Sequence, residues 1–173
     1  MTTMTEPTTA TIEAPGATLT YDVRRSASTT EPALFLLGSP MGAGGFVTLA
    51  SHFPDRTIVT YDPRGVERSV KVDPASPSTP GVHADDLHRI IGELGSDPVD
   101  IFASSGGAVN ALALVAAHPE DVRTLVAHEP PLASILPDRE GAMAFTQAIG
   151  AQPIEAREKL LGETAAKFYR IEI

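Results

Sequence analysis

A chain of 173 residues with 42% hydrophobic side chains can bury one sizeable core, and it reads as a soluble globular protein. Its net charge of −9 argues against nucleic acid and anionic membrane surfaces as partners. With no cysteine there is neither a disulfide framework nor a thiolate metal site.

The first fifteen residues are rich in threonine and carry Glu6 and Glu13, with no basic start and no apolar core. They do not read as a signal peptide, and no apolar run approaches the roughly 20 residues of a membrane span. The expectation is a cytoplasmic protein whose residues 1–16 form a flexible tail and the start of a hairpin. Pro15-Gly16 is a turn signal between Thr11–Ala14 and Ala17–Val23, which predicts that hairpin. Arg24 to Pro32 is a polar connector. Ala33 to Leu37 is continuously apolar, as a strand buried on both faces should be. A glycine-rich loop follows, Ser39 to Gly45, and then a short helix, Phe46 to Phe53.

Thr57 to Tyr61 is the next strand, and it ends in Asp62-Pro63-Arg64-Gly65. Val70 to Gly81, with Pro74, Pro77 and Pro80, is predicted to be a loop. Val82 to Leu94 is an amphipathic helix with Val82, Leu87, Ile90, Ile91 and Leu94 on one side. Val99 to Ala103 is a strand that runs into small residues around two serines. Gly107 to His118 is an Ala- and Leu-rich helix stopped by Pro119, and Val122 to Ala127 is a further strand followed by His128-Glu129. Arg139–Ile149 and Ile154–Phe168 are two more helices, split by Gln152-Pro153.

Strand and helix thus alternate from residue 33 to residue 127. That order predicts an α/β fold, a mostly parallel doubly wound sheet with helices on both faces. Chemistry in such sheets sits at the carboxyl ends of the strands. The glycine-rich loop, Asp62-Pro63-Arg64-Gly65, Ser105 and His128-Glu129 all fall there.

Three segments carry a family likeness. Ala103-Ser104-Ser105-Gly106-Gly107, between a strand and a helix, resembles the nucleophile elbow Gly-x-Ser-x-Gly, with alanine at the first small position. Leu34 to Gly42 resembles the strand and oxyanion loop, with Leu37 where His is common. Tyr61 to Ser69 resembles the loop Asp-x-Arg-Gly-x-Gly-x-Ser, with Glu67 where glycine is usual. In this order and spacing the chain resembles the α/β-hydrolase superfamily, and most of all its small bacterial members with a lid.

The resemblance implies a core over residues 17–135 and the start of a helical lid over 136–173. In the family the acid and the histidine lie on strands beyond the lid, and 66 residues follow Gly107 here. The expectation is therefore a hydrolase truncated within its lid, with Val122–Ala127 left as an open sheet edge that promotes self-association.

The chemistry implied is acyl transfer without a cofactor or a metal. Ser105 is the candidate nucleophile; a serine needs a base within reach and donors for the oxyanion. The amides of Gly106 and Ser39 are the candidate donors, Met41 standing behind Ser39 because Pro40 has no N–H. The bland reading of both segments is a small-residue loop that only connects strand to helix. Asp62 and Arg64 read as braces of their loop. His128 ends a strand on the active face and is a candidate base, set against the blander reading of a structural residue; Glu129, where some lipase-type members of the similar family carry the acid, is the candidate acid. His83 and His88 are five apart on one helix, a poor metal face, and His52 and His118 stand near helix ends where a cation suits the dipole.

The leading reading is a serine hydrolase of carboxylic esters or related acyl substrates; a cofactor-free perhydrolase would use the same serine machinery. A serine at the apex disfavours an aspartate-nucleophile reaction. The rival from another class is a catalytically silent fragment or small-molecule binding module. Dinucleotide binding through Gly42-Ala43-Gly44-Gly45 fits poorly, since the spacing is not Gly-x-Gly-x-x-Gly.

Overall fold

The computed structural model describes residues 6–26, 29–95, 97–132, 137–141 and 144. The chain divides into a unit that ends at Pro131 and a second that begins at Leu132. In the second, Gly141 N donates to Asp138 Oδ1 at 3.3 Å in a short helical stretch. The predicted helix Ile154–Phe168 and most of Arg139–Ile149 lie outside the described residues. Among the described residues no helix is long and apolar enough to cross a membrane.

The first unit is built on a seven-stranded sheet. Its strands are β1 (Thr8–Ala14), β2 (Ala17–Arg24), β3 (Leu34–Leu37), β4 (Ile58–Asp62), β5 (Val70–Lys71), β6 (Val99–Ser104) and β7 (Val122–His128). Their spatial order is β1-β2-β4-β3-β6-β7, with β5 paired to β2. β4, β3, β6 and β7 are mutually parallel, and the hairpin β1–β2 adds antiparallel to β4. The half of the sheet that carries the loops is thus the parallel one.

The helices are α1 (Val47–Ser51), α2 (Pro80–Leu94) and α3 (Gly106–Ala117). Alternation along β3 decides which covers which face. Phe35 and Leu37 join Val59, Tyr61, Ile101 and Ala103 in a core with Leu87 and Ile90 of α2 and Ala108, Ala111 and Leu114 of α3. Leu34 and Leu36 point the other way, to Ile58, Phe46 and, less buried, Leu49 and Phe53. The continuous apolar run is what a strand covered on both faces requires.

Several boundaries differ from the sequence reading by a residue or two, and three differences bear on the fold. β1 begins at Thr8 and pairs along its whole length with β2. Residues Val70–Lys71, predicted as loop, form β5 against Ala17 and Thr18. α2 starts at Pro80 because Thr79 caps it: Thr79 Oγ1 accepts from Val82 N at 3.4 Å and Pro80 needs no partner at the first helical position.

At the far end of the sheet Asp100 ties β6 to β7 and to the segment before β4. It accepts from Arg123 Nε at 2.8 Å and Nη2 at 2.5 Å, and from Arg56 Nη2 at 2.8 Å. The Arg123 guanidinium first, then that of Arg56, outweigh burial and hold the carboxyl at about 2, below its ordinary 3.8. A depressed carboxyl contributes stability that is present above the unfolded value and lost as pH falls through the folded one. Wild-type protein should therefore lose more stability than Asp100→Asn between about pH 5 and pH 2 in urea unfolding. Equal losses would mean that the pairing is screened by solvent.

β7 is the edge of the sheet among the described residues. It pairs with β6 on one side, and Val126 on it is 52% exposed.

Candidate active site

β6 ends at Ser104, and the chain turns at once into α3. Ser105 sits at the turn with φ 54° and ψ −126°, a left-handed conformation that a side chain normally avoids. Such a residue costs about 1–3 kcal/mol and persists only where its surroundings enforce it. Here they do: Ser105 N donates to His128 O at 3.0 Å, and Ser105 O accepts from Ala108 N at 2.9 Å. The turn leaves Ser105 exposed while Ala103 and Gly107 on either side are buried.

The glycines after the serine are required by close approach. A Cβ on Gly107 would stand 2.7 Å from Gly38 Cα and 2.8 Å from Leu37 O. A Cβ on Gly106 would stand 2.7 Å from Ser39 O. The start of α3 therefore lies directly on the loop after β3, and Ser39 and Gly106 come together beside Ser105. The first amides of a helix have no partner within it, and its dipole favours negative charge at that end. An anion developing at the Ser105 side of α3 would meet both.

His128 and Glu129 reach the same end of the sheet, with different contacts. His128 is the β7 partner of Ser104 in the parallel register, so its ring meets that residue: Ser104 Oγ and His128 Nδ1 are 3.3 Å apart. Its backbone carbonyl, not its ring, is what binds Ser105. The ring also stacks on Phe102 at 6.0 Å. Glu129 is exposed and has φ 49°.

Asp62 and Arg64 brace their surroundings, as the resemblance implied. Asp62 is fully buried; Oδ1 accepts from Ala43 N at 2.8 Å and Oδ2 from Arg68 Nε at 2.6 Å. It thereby ties the β4 loop to the start of the 3₁₀ turn Ala43–Phe46. Ser69 closes the same loop, donating to Asp62 O at 2.6 Å and accepting from Thr20 N at 2.8 Å. Arg64 bonds one carbonyl, Pro15 O at 3.2 Å, but its main partner is Asp86 of α2, held by two bonds of 2.5 and 2.7 Å. Asp86 had no signal in the sequence beyond its place on a helix.

Glu67 has φ 47°, which explains why glycine is usual at its position in the similar motif. Glu67→Gly should raise stability by about 1 kcal/mol, the left-handed penalty less the entropy that glycine adds to the unfolded chain. An unchanged or lower urea midpoint would show that the Glu67 carboxyl, which lies over Gly42, contributes more than its backbone costs.

A cavity of about 530 Å3 opens on the α1 face, lined among others by Asp22, Arg24, Phe46, Ile58 and Arg68. None of Ser39, Ser105, Gly106 or His128 lines it. The elbow and this cavity are separate features.

A family model described as "alpha/beta hydrolase fold" matches residues 32–170. YraK, an uncharacterized hydrolase of Bacillus subtilis (strain 168), is 36% identical over 132 residues, 75% of this chain and 47% of that protein. Among solved structures, a protein provisionally assigned as an epoxide hydrolase from Pseudomonas aeruginosa matches with a TM-score of 0.68 at 23% identity, over 94% of this chain and 55% of its own. A proline iminopeptidase of Mycobacterium smegmatis matches with a TM-score of 0.65 at 20% identity, over 95% of this chain and 56% of its own. At these identities the structural likeness concerns the fold alone. The chain spans about half the length of the relatives it matches.

Proposed function

Because this chain belongs to the α/β-hydrolase family, we propose that it is the nucleophile-bearing part of a serine hydrolase acting on carboxylic esters or related acyl substrates. The observation that carries this reading is Ser105 at φ 54°, exposed between β6 and α3. In the reaction, Ser105 Oγ attacks the acyl carbon and its proton passes to a base, for which His128 is the candidate at this end of the sheet. The amides of Gly106 and Ser39 bind the oxyanion, the alcohol leaves with a proton, and water then releases the acid from the acyl-enzyme. An aspartate-nucleophile reaction would need a carboxylate where Ser105 stands.

A second reading, a pocket that binds without turnover, is favoured by one contact. His128 Nδ1 lies 3.3 Å from Ser104 Oγ, so its ring is engaged by the neighbouring serine. The strands that carry base and acid in similar proteins come later in their chains.

Turnover separates the two. With p-nitrophenyl acetate, a serine hydrolase gives a burst of about one p-nitrophenol per chain before the steady rate. Ser105→Ala should abolish the burst and lower the rate by about 10⁴-fold or more, while Ser104→Ala should keep the burst. A burst that survives in Ser105→Ala would refute the assignment of the nucleophile. A folded protein with no burst would favour binding without turnover.

A further inference from the structure

Away from the elbow, the packing of α2 on α3 brings together two histidines that the sequence keeps 30 positions apart. His88 lies on α2 and His118 caps the C-terminal end of α3. Their rings stack at 3.9 Å, within 9° of parallel. Carboxylates surround the pair. Asp121 Oδ2 is 2.7 Å from His88 Nδ1, Asp85 Oδ1 is 3.5 Å from His118 Nε2, and Glu120 Oε1 is 3.8 Å from His118 Nδ1.

We propose that His88, His118 and Asp121 form a binding site for a divalent transition-metal ion of the zinc type, joining α2 to the segment between α3 and β7. Three arguments carry it. The donor set is right: two imidazoles and a carboxylate, with water in a fourth position, suit zinc and its neighbours better than calcium or magnesium. The distances are near: one ligand atom from each residue lies within 4.8 Å of the others. Tetrahedral zinc with bonds of about 2.0–2.1 Å needs its donors roughly 3.4 Å apart. The charge is right: the carboxylates of Asp85, Glu120 and Asp121 surround the two rings, a field that attracts a dication.

Binding requires the two rings to turn out of their stack, because imidazole lone pairs lie in the ring plane. Side-chain exposures of 44% for His88 and 24% for His118 leave room for that turn. Asp85, one turn before His88 on α2, faces His118 and can hold its ring from outside, as carboxylates behind metal-bound histidines do.

The test uses untagged protein stripped with a chelator and titrated with zinc chloride in a calorimeter. One saturable equivalent per chain is expected, and His88→Gln, His118→Gln and Asp121→Asn should each weaken it by about tenfold or more. His52→Gln, on the far α1 segment, should bind as wild type. At equal zinc, the melting temperature of the wild type should rise more than that of His88→Gln. Ring signals in the wild-type NMR spectrum give a reading that needs no variant: zinc should shift those of His88 and His118 and spare those of His52 and His83. No saturable binding, equal binding by the His88→Gln/His118→Gln double variant, or shifts at other histidines would each overturn the proposal.

Discussion

Asp86→Ala should lower the unfolding free energy by about 3–5 kcal/mol, because it strands a buried guanidinium. Arg64 and Asp86 have side-chain exposures of 5% and 0%, and two hydrogen bonds join them in a fork. Each charge has lost its water, and the other is its main replacement. Removing the carboxylate leaves Arg64 with Pro15 O at 3.2 Å as its remaining partner. A domain of this size has about 5–15 kcal/mol in total, so the variant should be marginal at room temperature. Replacing both residues by apolar ones of similar volume should cost much less than either single change, since a buried pair contributes little net stability of its own. Urea unfolding of the two single variants and the double variant checks this. Additive losses would mean that the two residues act independently and that the fork is not what braces the loop.

Gly107→Ala should have the second large effect, on stability and on the elbow together. The new methyl would stand 2.7 Å from Gly38 Cα and 2.8 Å from Gly38 C and Leu37 O. All three are backbone atoms, so no side chain can swing away. Overpacking typically costs about 1–3 kcal/mol, and this site belongs at the upper end. Relief requires α3 to withdraw from the β3 loop, which carries Gly106 away from Ser39. Misplacement by about 1 Å can cost 10²-fold in rate. Reaction at Ser105 should therefore slow far more than the loss of stability explains, measured at a temperature where the variant is fully folded. Gly44→Ala, with open space around its Cβ position, is the matched control and should do neither.

The elbow was legible because its geometry dictates composition. A strand that turns into a helix within one residue needs small side chains at fixed offsets, and Ala103, Gly106 and Gly107 supply them. The two-faced strand Leu34–Leu37 was legible for a similar reason. The Arg64–Asp86 fork was not. Asp85 and Asp86 are adjacent on α2 and chemically alike, yet the Asp85 side chain is 67% exposed and that of Asp86 is 0% exposed. Only the helix phase against the sheet separates them. The pairing of His128 with Ser104 instead of Ser105 depends on the register of β6 and β7, which no single strand reveals. The same holds for His88 and His118. Each looked like an ordinary helix histidine until two helices were packed side by side. Glu67 stood out as a departure from a similar motif, but its φ of 47° belongs to the fold.

The central claim is that Ser105 is an activated nucleophile, and covalent labelling tests it most directly. The folded chain is incubated with a fluorophosphonate, its intact mass is measured, and the modified peptide is sequenced. The account predicts one adduct, on Ser105, absent from Ser105→Ala and retained in Ser104→Ala. An adduct on Ser104, or a folded chain that takes up none, would contradict it.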